Sequence, residues 1–502
     1  MNSLFGIETE YGITVEGADA SQLVAQAREV VKSYNRQFAA PWNYRAEDSR
    51  NDVRGFRAEH LTQDATDAQF DRPGTRALSQ TEDRCDRVLE NGARLYNDHG
   101  HPEYSTPECD NLRDLVAHDK AGERIVLQCA KIRQAKIGKN VEIWKNNSDF
   151  HGASYGTHES YLLRRDVSWE HVVQNMAPFL ATRILYAGAG KVGTEENHAT
   201  ANYQLSQRAD FFNVLQSVDT LANRPLVNTR DETHGDARRF RRLHVIAGDA
   251  NMSEYATALR VGVTNLVVAL IESGWKNPLM LRDCVRSVKQ ISRDESFKWI
   301  VDGERGTETA IDVQRAFLDG CCKMKLPASD WVTEEWNRVL DALENDPFSL
   351  SDSLDWVAKK SLLDQFVESE GLSWTRDVAT LQSLDLAYHN VDESVSLYGG
   401  LVEADAMRTV VTNDEIERAR LYPPTNTRAA LRGLVVRRFA EKITGVSWGA
   451  ISWKDEQGEG VLGLPEDFAD YKTLCEKLKN ARDLEEVAAV LEALETGKTR
   501  QK

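Results

Sequence analysis

The stretch Leu4-Phe5-Gly6-Ile7-Glu8-Thr9-Glu10-Tyr11-Gly12-Ile13-Thr14 has the alternation of a β-strand, in which successive side chains point to opposite faces. Gly6, Glu8, Glu10 and Gly12 fall on one face, and Ile7, Thr9, Tyr11 and Ile13 on the other. Two carboxylates side by side on a sheet repel each other and resist burial unless something positive lies between them. A divalent cation meets that need, and carboxylate oxygens suit magnesium. For this strand alone, a solvent-facing surface with two acids remains the plain alternative.

The rest of the chain repeats the theme. In Asn91-Gly92-Ala93-Arg94-Leu95-Tyr96-Asn97-Asp98-His99, the residues Arg94, Tyr96 and Asp98 share a strand face. Glu103 follows Asp98 by five positions, within His101-Pro102-Glu103-Tyr104-Ser105-Thr106, where Pro102 fixes the chain direction. His158 comes after a glycine-spaced turn in Gly152-Ala153-Ser154-Tyr155-Gly156-Thr157-His158. Tyr203–Arg208 reads as a strand with Gln204, Ser206 and Arg208 on one face, and Arg241–Ile246 as another with Arg242 beside His244. Arg230 adds a further cation. Strands that are polar on one face suggest a single sheet cradling a polyanion with metal ions. Carboxylates and histidines would hold the metals, and guanidiniums would hold phosphate oxygens in pairs. No P-loop is present and no dinucleotide-binding glycine fingerprint is read, so a nucleotide would bind in another way. The residues themselves carry the argument only as far as a metal–phosphate site on a sheet.

The bulk properties narrow the class. With 502 residues, 41% of them hydrophobic and 28% charged, the chain reads as an ordinary globular protein of one large domain plus an appendage or of two domains. A formal charge of −17 speaks against broad nucleic-acid binding. The start of the chain reaches Glu8 and Glu10 almost at once and is read as carrying no signal peptide. The most apolar stretch, Val261–Ile271, is read as too short for a membrane span. The seven cysteines are odd in number and scattered, which suggests buried thiols in a reducing compartment. A cytoplasmic location is expected, with no membrane and no nucleic acid as partner.

Helical spacing marks Gln22–Tyr34, Leu112–Ala135, Tyr255–Ser273, Ala310–Cys322, Trp331–Glu344 and Asp352–Glu370. Arg45–Arg84 is different. Of its 40 residues 16 are charged and 10 hydrophobic, without periodicity, which reads as a mobile polar insertion followed by a helix-like Cys85–Glu90. Pro423-Pro424 breaks the helical pattern and sets the expected division, 1–424 for a large domain and 425–502 for a small one. The small domain has a strand near Val446–Trp453 and a closing helix at Leu484–Leu494.

These motifs together resemble the Pup ligase/depupylase family, a branch of the glutamine-synthetase-like carboxylate–amine ligases. The resemblance rests on Gly6–Gly12, Asn91–Tyr104, Lys145–His158, Leu205–Arg208, Asn228–Glu232, Arg241–Asn251, Leu384–His389, Pro423–Arg428 and Trp448, in order along nearly the whole chain. It implies an α+β fold: a large glutamine-synthetase-like domain with a curved antiparallel sheet backed by helices, plus a small C-terminal domain that closes over the nucleotide. ATP and Mg2+ are the implied cofactors. Glu8, Tyr96 and Glu103 match magnesium-binding positions, and Glu10, His158 and His244 match the second metal and its surroundings. Arg94, Thr106, Arg208, Arg230 and Trp448 match nucleotide-contacting positions, and Asp98 matches the catalytic aspartate.

Within the family, the long Arg45–Arg84 segment and the spacing of Asp98 from Glu103 point to a depupylase rather than a ligase. Such an enzyme hydrolyses the isopeptide bond between the C-terminal residue of Pup and substrate lysines, and deamidates a C-terminal glutamine of Pup. ATP is then a bound cofactor, and Asp98 acts as nucleophile or activates water or phosphate. The implied partners are Pup and pupylated proteins, with a link to a bacterial proteasome, and the chain is expected to act as a monomer. The alternatives are a Pup ligase working through a γ-glutamyl phosphate and a non-catalytic ATP-binding adaptor. Arg238, Arg239, Arg241, Arg242, Arg437 and Arg438 are candidates for a basic groove that takes Pup.

Overall fold

The alternation of strand β1 (Phe5–Glu10) is expressed in full. Phe5, Ile7 and Thr9 are buried, and Gly6, Glu8 and Glu10 on the opposite face are half-buried. The structure, a computed structural model, describes residues 4–35, 38–61, 84–150, 152–195, 200–221, 223–324, 330–456, 458–465 and 470–499. The strands that matter for the site are β2 (Gly12–Val15), β3 (Ala39–Ala40), β4 (Arg87–Leu89), β5 (Arg94–Asp98), β6 (His101–Ser105), β7 (Val141–Trp144), β8 (Thr157–Arg164) and β9 (Phe240–Gly248). Seven of these strands make one antiparallel sheet in the order β9-β8-β1-β6-β5-β4-β3, and β2 leaves it to pair with β7.

Helices back the sheet on the side of Phe5 and Ile7. Helix α1 (Ala20–Lys32) opens with a capping box between Asp19 and Gln22, which satisfies two orphan amides at once. Helix α2 (Leu112–Ile137) is capped by Asn111 and stops at Gly138, whose φ of 66° lies in the left-handed region that glycine adopts without strain. Helices α3 (Trp169–Thr182) and α4 (Glu254–Glu272) join β1, β8 and β9 in the largest hydrophobic cluster. Beneath β8 the fully buried Glu159 takes two hydrogen bonds from Arg183, at 2.8 and 2.9 Å. This is an α+β fold with an antiparallel sheet backed by helices, as expected.

The C-terminal segment has its own cluster. Helix α5 (Arg428–Phe439), the meander of β10 (Ile443–Val446), β11 (Ala450–Lys454) and β12 (Glu459–Gly463), and two closing helices pack together with Ala40, Trp42 and Val88. Arg428 and Arg432 of α5 both reach Glu108, and Arg432 also donates to the carbonyls of Gly92 and Trp448. Burial alone would raise the Glu108 carboxyl, but the charges of Arg432 and Arg428 outweigh it and hold it down at about 2.

Several sequence readings change. The expected strand at Val446–Trp453 is a hairpin, because Ser447–Gly449 turn the chain between β10 and β11. Tyr203–Arg208 is a strand only at Tyr203–Gln204; beyond it the Ser206 hydroxyl binds the amides of Arg208 and Ala209 and curls the chain into a 3-10 turn. Cys85–Glu90 contains strand β4 rather than a helix, since it pairs with β5. Helix α4 has 19 residues and is long and apolar enough to cross a membrane, so burial within the core and not shortness marks it as a core helix. Cys322 is exposed and Cys475 half-buried; the other five cysteines are buried, and all seven are free. Gly188-Ala189-Gly190-Lys191-Val192-Gly193 does have the spacing of a dinucleotide fingerprint. It runs from a short helix into a two-residue strand, however, and a Cβ at Gly188 or Gly190 would collide with the Leu205 carbonyl or the Tyr203 ring, so its glycines serve packing. Residues 62–83 of the polar insertion lie outside the described residues, whereas 45–61 fold against the sheet face, with Asp52 bridged to Arg230.

Gly122, midway along α2, is where the helix meets the sheet. A Cβ there would lie 2.3 Å from Cδ1 of Tyr104, which is fully buried on β6 and hydrogen-bonded to Asn91. Gly122→Ala should therefore lower stability by about 1–3 kcal/mol despite the helix-forming gain of alanine. Gly400 lies in the helix Leu397–Glu403 with nothing near its Cβ position, so Gly400→Ala should raise stability by about 0.5–1 kcal/mol. Denaturant unfolding of both variants checks the pair, and a shift of the same sign in both would refute this packing account.

Candidate functional site

The site is laid out by cross-strand register. Arg94 of β5 faces Ser105 of β6, which faces Glu8 of β1, which in turn faces His158 of β8. One row along, Tyr96 faces Glu103 and Glu103 faces Glu10. Asp98 ends β5 opposite His101, and His244 of β9 lies opposite Ser160 of β8. Directly opposed residues in an antiparallel pair bring their Cβ atoms to about 4.5–5.5 Å, so the backbone ladder alone assembles this group. Above it lies a cavity of about 640 Å³, lined by every residue expected at the site except Thr106.

Two groups could each hold a metal ion, with ligand atoms within 4.8 Å of one another: Glu8, His158 and His244, and Glu10, Asp98 and Glu103. The division differs from the one the resemblance implies. Glu8 belongs with the histidines because β8 flanks it, and Glu10 belongs with Glu103 and Asp98 because β6 and β5 do. Tyr96 lies beside Glu103 on the β5 side and belongs to neither group, with the guanidiniums of Arg94 and Arg84 at 4.1 and 5.7 Å from its ring centre. The all-carboxylate group suits a hard cation such as magnesium; the group with two imidazoles suits it less well.

The electrostatics show what the acids need. Burial would raise the Glu8 carboxyl, but Arg242 at 2.9 Å and the two histidines at 3.6 Å outweigh it and hold it well below the usual carboxylate range. Burial likewise opposes ionisation of Asp98, and Arg84 at 2.9 Å, His99 and Arg94 override it. Glu103 goes the other way: burial and the charges of Asp98, Glu10 and Glu8 push it well above the ordinary value. Three carboxylates at one point demand a proton or a cation. Burial, reinforced by Arg242, holds His244 well below the ordinary histidine value, so its ring is neutral and able to ligate. Both ring nitrogens of His244 and Oε2 of Glu103 are buried without a hydrogen-bond partner, as ligand atoms awaiting a cation are.

The guanidiniums form the other half of the site. Arg94 binds Asp86 at 2.6 Å and Glu47 at 3.1 Å and lies 4.0 Å from the ring centre of Trp42, which leaves Nη2 unpartnered. Arg208 donates to the Ile246 carbonyl at 2.6 Å, and burial together with Arg224 lowers it to about 10. Arg208 and Arg230 each keep a buried Nε without a partner. Neither comes from the large sheet: both arrive on loops that fold over it. Trp448 reaches the cavity from the C-terminal segment, edge-on to Trp42 with ring centres 5.3 Å apart. Thr106 faces a smaller adjoining cavity of about 80 Å³ that Trp448 also lines, and its hydroxyl accepts the Ile7 amide at 3.0 Å.

Some site residues were not expected. Arg242 has two sequence readings, a neighbour of His244 on the polar strand face and a groove candidate; its side chain is buried against Glu8, two positions along β9 from His244, as the first reading expects. The other groove candidates are engaged elsewhere: Arg238 with Asp236, Arg239 over Phe240, Arg241 with the Val167 carbonyl, Arg437 with Glu90, and Arg438 with the Ala481 carbonyl. Arg84, Glu47 and Asp86 had no local signal, because each acts through a partner distant in sequence or on another strand.

The chain is similar to known proteins over most of its length. The profile of the family described as Pup-ligase protein matches residues 3–452. The Depupylase of Acidothermus cellulolyticus is 38% identical over 469 residues, 90% of this chain and 91% of that protein. The Pup--protein ligase of Corynebacterium jeikeium is 37% identical over 430 residues, 81% of this chain and 89% of its own length. Among solved structures, the complex between Pup and its ligase PafA superposes with a TM-score of 0.76 at 29% identity, covering 99% of this chain and 95% of that one. PafA in complex with ADP gives 0.71 at 32% identity over 79% and 90%. With a family profile spanning most of its length and such relatives on both sides, the chain belongs to the Pup-ligase family.

Proposed function

We propose that the chain is an ATP- and magnesium-dependent depupylase that hydrolyses the isopeptide bond between the C-terminal side chain of Pup and a substrate lysine, and the amide of a C-terminal glutamine of Pup. The observation that carries a hydrolytic reading is Asp98, held ionised by Arg84 and His99 at the edge of the carboxylate group. An ionised carboxylate at this point has the lone pair that attack on a carbonyl carbon requires. Relatives named Depupylase and Pup deamidase/depupylase, 37–38% identical over 90–93% of this chain, support the assignment, although a ligase-named relative from Pseudarthrobacter covers 91% of it at 36% identity. The ADP-bound relative supports a nucleotide in the arginine-lined cavity.

In this reading Glu10, Glu103 and Glu8 with its histidines would hold magnesium, and Arg94, Arg208, Arg230 and Trp448 would hold the nucleotide. Magnesium, when bound, would supply positive charge that stabilises a developing oxyanion. Asp98 attacks the acyl carbon, the C–N bond breaks, and water then cleaves the anhydride to regenerate Asp98. In the net reaction water gives its hydroxyl to carbon and a proton to nitrogen. Arg84 orients the Asp98 carboxylate, and Arg242 keeps Glu8 ionised. This reading takes pupylated proteins as substrates and proposes a cytoplasmic setting linked to a proteasome pathway.

The ligase-named relatives sustain a second reading, isopeptide synthesis through a γ-glutamyl phosphate. Incubating the pure protein with a pupylated protein, free Pup and ATP–magnesium separates the two. Release of Pup is expected, whereas new conjugates establish the ligase and silence establishes an adaptor. Asp98→Asn should reduce turnover by at least about 100-fold while ATP affinity stays within a few-fold of the parent. Near-parental cleavage by that variant would remove Asp98 from the chemistry. Glu8→Ala should weaken ATP–magnesium binding by at least about tenfold in a calorimetric titration, and unchanged affinity would take Glu8 out of the metal site.

A further inference from the structure

Beside the reaction face lies a second cavity of about 300 Å³, and Glu10, His99, Ser154, Tyr155 and Leu221 line both. Part of the shared wall is Tyr155, stacked on His101 with ring centres 4.3 Å apart and hydrogen-bonded through its hydroxyl to Asn146. Gly12 leaves the space for that ring, since a Cβ there would come within 2.6 Å of the Tyr155 hydroxyl. The two compartments differ in chemistry. Nine arginines line the first. Among the described residues no lysine or arginine lines the second, whose walls are Ile13, Leu23, Val24, Trp144, Phe150 and Leu386, with Glu10 and Asp149 as its acids.

We propose that this second cavity holds the side chain of the substrate lysine, so that it reads the amine side of the scissile bond; this rests on the hydrolase reading above. A lysine in isopeptide linkage is a run of methylenes ending at the acylated nitrogen, and an apolar cavity beside the reaction face fits it. Over the whole hydrolysis the nitrogen gains one proton from the water consumed and one from solution, and the resulting ammonium faces Glu10 and Asp149. The modifier arm has the opposite character. Linkage through a side chain leaves its C-terminal α-carboxylate free, an anion that the acids of this cavity repel and the arginines of the first attract. The scissile bond is therefore oriented with acyl side toward the arginines and amine side toward Trp144 and Leu23.

Two amides that share one acyl group and differ only in leaving group test this. A conjugate releases a lysine, and a C-terminal glutamine releases ammonia, which needs no such cavity. Ala153→Phe, from the loop, and Leu23→Trp, from α1, each add bulk to the cavity wall at positions outside the assigned catalytic and metal residues. Both should lower kcat/KM on a Pup–lysine conjugate by ~10-fold or more while glutamine deamidation and ATP affinity stay within about twofold. Asp149→Asn adds no bulk and keeps an oxygen for the Ala153 amide that Asp149 now accepts at 3.0 Å. It should slow conjugate cleavage and spare deamidation. Equal losses in both reactions with ATP binding intact would assign the cavity to the modifier or to catalysis, and unchanged cleavage by all three variants would place the lysine elsewhere; either overturns the proposal. A parent enzyme that cleaves neither amide removes the hydrolase reading itself.

Discussion

Four carboxylates on one face of one sheet are the constraint around which this protein is built. Glu8, Glu10, Asp98 and Glu103 come from three adjacent strands, and the antiparallel register leaves them no room to separate. Their repulsion in a half-buried setting is an energetic debt that the fold has to balance locally. Arg242 does so for Glu8, and Arg84 and His99 do so for Asp98. Glu103 is left with the excess, which is why its carboxyl is driven upward and why a cation at this point would relieve all three neighbours together.

The surrounding structure keeps that arrangement rigid. Gly122 lets α2 approach close enough for the Tyr104 ring to fill the layer beneath Glu103, and the Glu159–Arg183 pair does the same beneath His158. A buried ion pair of this kind adds little to stability against an apolar replacement, but it fixes position. On the open side, Glu47 and Asp86 grip Arg94 between the rings of Trp42 and Tyr96. The guanidinium that would meet phosphate is thus held before any ligand arrives, which lowers the entropy lost on binding.

The C-terminal segment enters the site through one acid. Glu108, just past β6, binds Arg428 and Arg432 of α5, and Arg432 in turn binds the carbonyl of Trp448. The position of that indole is therefore coupled to the strand that carries Glu103. The first part of the polar insertion does similar work from the other end of the sheet, since Asp52 binds the Thr229 hydroxyl next to Arg230. Segments remote in sequence thereby close the cavity over a face that the sheet alone would leave open.

The residues by themselves determined the strand faces and the helices. The alternation in Leu4–Thr14 placed Glu8 and Glu10 together, Arg94, Tyr96 and Asp98 fell on one face, and the helical spacing of 112–135 and 255–273 marked α2 and α4 to within two residues. Period and side-chain polarity are local properties, so they survive in one dimension. Register is not local. Which acid sits beside which histidine was decided only when β8 docked on one edge of β1 and β6 on the other, and this is why the metal groups divide as they do and not as the motifs suggested. The same holds for Arg208 and Arg230, which reach the site from loops, and for Arg84, whose partner lies across the cavity wall. A side chain's chemistry is written in its residue type, but its neighbours are set by the free energy of packing the whole chain, and the site is made of neighbours.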